Sequence, residues 1–231
     1  CQAHHCQISQ TTGNTRSKTQ KRTMKQALRY ISLTLSIVLY PMLIPTYAML
    51  LLFGAFSAQG LQLPWLYIAI TAGGTLLLTC IIPFSIILMM IKQGQLKDAY
   101  IEDKDARLTP YLYSIFASIA WCFFLWRVLH MPQTVCVMAI GATLALTAVT
   151  IINHWWKISS HLSTLGALIG SVAGYQYANP TTFNLWLIPT LLLLALLLAC
   201  ARIYLNAHTP AQTVAGLLLG LLFTMIPAMI F

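Results

Sequence analysis

Three short polar segments interrupt an otherwise apolar chain, and each holds residues able to handle a phosphate. The first runs Ala201-Arg202-Ile203-Tyr204-Leu205-Asn206-Ala207-His208-Thr209-Pro210-Ala211-Gln212. Arg202 offers a planar, permanently charged fork that matches phosphate oxygens. His208 stands just before a proline suited to a helix start, where free N–H groups favour an anion. A histidine beside a bound phosphate can act as a nucleophile. The second segment, Lys157-Ile158-Ser159-Ser160-His161, supplies two hydroxyl donors in Ser159 and Ser160. Its imidazole, His161, can protonate a leaving alcohol near neutral pH. The third, Lys104-Asp105-Ala106-Arg107-Leu108-Thr109-Pro110, adds two cations, Lys104 and Arg107.

These segments need elements to carry them, and composition decides which. The 231 residues are 58% hydrophobic and 7% charged, with mean hydropathy +0.76. A soluble domain carries about a quarter charged residues, so this chain cannot coat a globule and its outer surface must face lipid. At roughly 20 apolar residues per span, the length predicts an all-α, polytopic bundle of six or seven transmembrane helices. The first span is expected over about Leu28–Phe56, kinked by Pro41 and Pro45. The others fall near Pro64–Ile91, Pro110–His130, Pro132–Ile152, His161–Tyr177, Phe183–Tyr204 and Pro210 to the end. Residues 1–26 read as a disordered basic tail without the apolar core of a signal peptide, and 27–231 as one transmembrane domain. Gly166, Gly170 and Gly174, with Gly216 and Gly220, form small-residue stripes that let helices approach closely in lipid.

If each span crosses once, all three polar segments share one membrane face. Of 13 Lys and Arg, Arg127 alone sits opposite, so the shared face is expected to be cytoplasmic, in a membrane of the bacterial inner type. The net charge of +9 belongs with anionic lipid headgroups rather than nucleic acid. The four acidic residues are Asp98, Glu102, Asp103 and Asp105, so no span can supply a carboxylate. That excludes a prenyltransferase with two aspartate-rich clusters, and a CDP-alcohol phosphotransferase with its metal-binding aspartates. A transporter with broken helices in matching repeats is disfavoured, since only the first span is proline-interrupted at its centre. The six cysteines form no CxxC pair, and neither disulfide nor zinc chemistry is expected.

The motifs resemble those of the type 2 phosphatidic acid phosphatase (PAP2) family. That family's third signature, Ser-Arg-x5-His-x3-Asp, is met here by Ala201, Arg202, His208 and Gln212. Its second, Pro-Ser-Gly-His, is matched in part by Ile158-Ser159-Ser160-His161. Its first, Lys-x6-Arg-Pro, is echoed with altered spacing by Lys104, Arg107 and Pro110. The resemblance spans roughly residues 90–231, and the first two spans add nothing specific to it. It implies an acid phosphatase/vanadium haloperoxidase-like helical core and hydrolysis of a lipid phosphate monoester or diphosphate, without a metal or other cofactor. His208 would attack phosphorus, His161 would protonate the leaving alcohol, and Arg202, Lys104, Arg107, Ser159 and Ser160 would hold the phosphate. Position 212 would orient His208. There the chain departs from the family: Gln212 can accept a hydrogen bond but cannot stabilise an imidazolium by charge. Either Glu102, Asp103 or Asp105 substitutes from the neighbouring loop, or the chain is a degenerate relative that binds lipid phosphates without hydrolysing them.

Overall fold

The computed structural model describes residues 20, 22–96, 107–180 and 185–230, and all regular structure among them is helical. In chain order the helices are α1 (22–38), α2 (Ile44–Ala58), α3 (Trp65–Leu76), α4 (Ile82–Lys92), α5 (Leu108–Arg127), α6 (Gln133–Trp155), α7 (Ser160–Ala178), α8 (Leu187–Tyr204) and α9 (Pro210–Ile230). A single π-helical turn, Leu77–Ile81, joins α3 to α4 into one continuous helical segment, Trp65–Lys92. By length and apolar content that segment, α5, α6, α8 and α9 can each cross a bilayer. The nineteen-residue α7 is richer in Gly and Ser, and it lies in the centre of the bundle with Leu162, Leu165 and Ile169 almost wholly enclosed. Large apolar side chains such as Phe116, Phe123, Leu193 and Leu196 face outward, as a lipid solvent requires.

The predicted kink in the first span is a complete break. Helix α1 stops at 38, residues 39–43 form turns, and α2 begins at Ile44 with Pro45 in its first turn. Pro41 has no N–H, so the Ile37 carbonyl turns to the Tyr40 N–H instead, at 3.2 Å. A break inside a membrane is tolerated only where the freed backbone groups find partners. Here they do. Tyr47 Oη donates to the Val38 carbonyl (3.0 Å) and His161 Nε2 to that of Ser36 (3.3 Å), while Thr79 Oγ1 shares its proton between the Thr75 carbonyl (2.8 Å) and that of Met42 (3.3 Å). At the amino-terminal side, helix is present from residue 22, upstream of the expected start at Leu28.

The tightest packing is between α7 and α9, and the glycine stripes account for it. A Cβ on Gly166 or Gly170 would run into the Leu217 or Leu221 carbonyl, and one on Gly220 into the Ser163 carbonyl. A Cβ on Gly216 would come within 2.5 Å of the Ser159 carbonyl. In lipid no hydrophobic force draws helices together, so backbone approach through small residues holds this pair. Thr224 adds a cross-helix bond from Oγ1 to the Ala167 carbonyl at 2.9 Å. Because Gly216 abuts Ser159, this contact sets the start of α7 at the level of the start of α9.

Candidate functional site

The loop between α8 and α9 is built by two local motifs. Helix α8 ends in a Schellman arrangement: the Ala207 N–H bonds the Arg202 carbonyl (3.0 Å), and the Asn206 N–H bonds that of Ile203 (2.9 Å). Asn206 takes the required left-handed conformation at φ 53°, which Asn tolerates better than most residues. Helix α9 then opens with a capping box. The Thr209 N–H donates to Gln212 Oε1 at 3.0 Å, and the Gln212 N–H donates to Thr209 Oγ1 at 3.4 Å. The spacing Arg-x5-His is thus one helix end followed directly by one helix start. Arg202 is fixed in the last turn of α8 and His208 just ahead of α9.

Those two residues share one cavity with His161, at the start of α7, and Arg107, just ahead of α5. Arg107, Arg202, His161 and His208 are each 6% exposed, and with Ser160 they line one end of a shared cavity. The charge of Arg202 bears most strongly, among charged groups, on both imidazoles, and that of Arg107 on both as well. All four acidic residues lie outside the described residues. Two guanidiniums and two imidazoles lining one cavity are groups that can bind an anion.

Backbone carbonyls orient both imidazoles. His208 Nδ1 lies 3.2 Å from the Lys157 carbonyl, which can only accept, so Nδ1 carries the proton and Nε2 keeps its lone pair. By the same reasoning the His161 Nε2–H donates to the Ser36 carbonyl. Tyr40 meets the His161 ring edge-on, with centroids 5.8 Å apart at 88°. Burial and the adjoining positive charges of Arg202 and Arg107 pull His208 from an ordinary 6.5 down to about 4. The ring is therefore neutral across the physiological range, with the lone pair on Nε2.

Several expected residues take other parts. The Gln212 side chain closes the capping box, and the orienting role expected of it toward His208 falls to the Lys157 carbonyl. A glutamine at the third position of a helix reaches back to its own N-cap, which explains the outcome. Ser159 is fully buried at the N-cap of α7, where its Oγ has no hydrogen-bond partner among the described residues. Its N–H pairs with the Gln212 carbonyl at 3.3 Å. Ser160 lines the cavity. Lys104 lies outside the described residues, as do Glu102, Asp103 and Asp105. Tyr40 and the Ser36 and Lys157 carbonyls had no place in the sequence reading. The proline pair at 41 and 45 was the one available signal, since a broken helix frees carbonyls.

Residues 153–230 match the model of the PAP2 superfamily. The chain resembles that superfamily across its carboxy-terminal third. The PAP2-like stretch starts at the end of α6 and covers α7, α8 and α9, and so contains both histidines and Arg202. It is narrower than the 90–231 expected, and Arg107, Ser36 and Tyr40 lie before it. No curated protein and no solved structure matches the chain. The chain is an integral membrane protein with a PAP2-like, phosphatase-type helical core.

Proposed function

We propose that the protein hydrolyses a lipid phosphate monoester or diphosphate, of the phosphatidic acid, phosphatidylglycerophosphate or polyprenyl diphosphate type. The reading rests on one observation: two imidazoles and two guanidiniums from α5, α7, α8 and the α8–α9 loop share the buried end of one cavity. The Arg202 and Arg107 forks hold the phosphate oxygens, with the Ser160 hydroxyl as a further donor. His208 Nε2 attacks phosphorus, the bond to the leaving oxygen breaks, and a phosphohistidine forms while Nδ1–H stays on the Lys157 carbonyl. The bound phosphate offsets the two guanidinium charges, so His161 can carry a second proton and pass it to the leaving oxygen. Water then attacks phosphorus, His161 takes its proton, and His208 is freed.

A carbonyl in place of a carboxylate behind the nucleophile implies slow turnover. In the serine-protease triad, exchanging the supporting Asp for Asn costs about 10⁴ in rate. This feature also favours a second reading, in which the site binds lipid phosphates without cleaving them. The deciding experiment is phosphate release from a lipid-phosphate panel in detergent with EDTA present. Wild type exceeding His208→Ala is the expected result. Equality of the two across the panel, with retained phosphate-lipid binding, leaves the binding reading. Activity that returns only with added magnesium overturns the metal-free mechanism.

A further inference from the structure

The cavity does not end at the phosphate site. From His161 and Ser160 it continues along α7 to Val172 and Tyr175, and along α6 from Val149 to Met138 and Val135. Ser160 to Tyr175 is about 22 Å of helix at 1.5 Å per residue. This slot has a volume of about 260 Å³. It exists because its middle is walled by small side chains: Ala48, Ser118, Ala139, Ala142, Ala167 and Ser171. Buried Trp121, Met138 and Tyr175 line its far end, the floor.

Many lining residues carry hydroxyls, yet the wall is not polar. Thr75 Oγ1 donates to the Thr71 carbonyl (2.7 Å), Thr79 to Thr75 (2.8 Å), Ser114 to Pro110 (2.8 Å) and Thr143 to Ala139 (2.9 Å). These four hydroxyls each bond their own helix one turn back. Ser118, Ser163 and Ser171 are the polar interruptions in a wall otherwise made mostly of Ala, Val, Leu, Ile, Met and Trp side chains. A wall so largely apolar suits hydrocarbon. The half-thickness of a bilayer core is about 15 Å, so an ordinary lipid chain fits within the slot's depth.

Building on the phosphatase reading, we propose that the slot takes a hydrocarbon tail of the substrate, drawn into the helix bundle below a phosphate held by His208, His161, Arg202 and Arg107. On this basis the bilayer does not hold that tail during turnover.

Two measurements test this. Hexadecyl phosphate bearing a terminal diazirine is photolysed with the wild-type protein, and the labelled peptides are mapped. Label on Val135–Ala142 and Val172–Tyr175 is expected; label on lipid-facing Phe116, Phe123 or Leu196 overturns the slot. Separately, Ala142→Phe plugs the slot halfway. Hydrolysis of hexadecyl phosphate should fall by more than about tenfold, since each displaced methylene forfeits its burial, while octyl phosphate is turned over as by wild type. Retained octyl phosphate turnover certifies the fold, and Ser171→Leu, at a similar depth on α7, serves if Ala142→Phe does not fold. Equal loss or equal retention for the two chain lengths rejects the slot and leaves the phosphatase reading intact. Floor labelling by a wild-type protein that releases no phosphate rejects the phosphatase reading and keeps the slot.

Discussion

Replacing Gln212 with Ala separates two roles for that side chain. As half of a capping box, its Oε1 accepts from the Thr209 N–H at 3.0 Å; as a support for the nucleophile, it would have to hold the His208 ring, which the Lys157 carbonyl already holds at 3.2 Å. Loss of a cap costs roughly 0.5–2 kcal/mol. The low end applies, because Thr209 is exposed and its N–H can turn to water. Taking about 0.5–1 kcal/mol, and about 2–4 °C per kcal/mol for a chain of this size, the midpoint in detergent should drop by roughly 1–4 °C. Turnover of a lipid phosphate should stay within about threefold, since an added 1.4 kcal/mol on the barrier is needed for tenfold. The assay pairs a thermal scan with phosphate release on one preparation. A fall of two orders of magnitude in turnover at an unchanged midpoint would refute the reasoning, because it would make Gln212 the residue that orients His208.

Three further outcomes follow from the geometry. Asn206→Val puts a β-branched residue at φ 53° and should destabilise the protein by about 1–2 kcal/mol, with Asn206→Gly near wild type; thermal scans of both check it. His208 titrates at about 4 when folded and near 6.5 when unfolded. Between those values the unfolded chain binds the extra proton, so stability is full above 6.5 and declines as the pH falls toward 4. His208→Gln should flatten that part of a midpoint-against-pH curve, and the acid limb of wild-type kcat/KM should lie near 4 rather than 6.5. Gly216→Val forces α9 away from the Ser159 carbonyl, and phosphate-lipid binding should weaken together with the thermal midpoint; an unchanged midpoint would mean that α7 and α9 do not depend on this approach.

Composition alone determined that this is a helical bundle in lipid, because so few charges cannot solvate the surface of a 231-residue chain. The segment from Arg202 to Gln212 was legible for a related reason. Its geometry is set by bonds spanning three to five residues, and local sequence can encode those. The capping box was itself readable as Thr-x-x-Gln at a helix start. Ser159, Ser160 and His161 were likewise placed by their position at the start of a helix.

Only the tertiary structure decided what orients the two histidines. Their partners are backbone carbonyls, of Lys157 at a separation of 51 residues and of Ser36 at 125. A carbonyl bears no residue identity, so no side-chain pattern announces it. Arg107 entered the site, and the first span became part of it, through packing between helices distant in the chain. The break at Pro41 was expected as a kink, but its use was not: the Ser36 carbonyl near the broken helix end is occupied by His161, and Tyr40 leans on the ring. The slot below the site also belongs to the fold alone. It arises where small residues on four separate helices happen to meet at one depth, a coincidence that no single stretch of sequence contains.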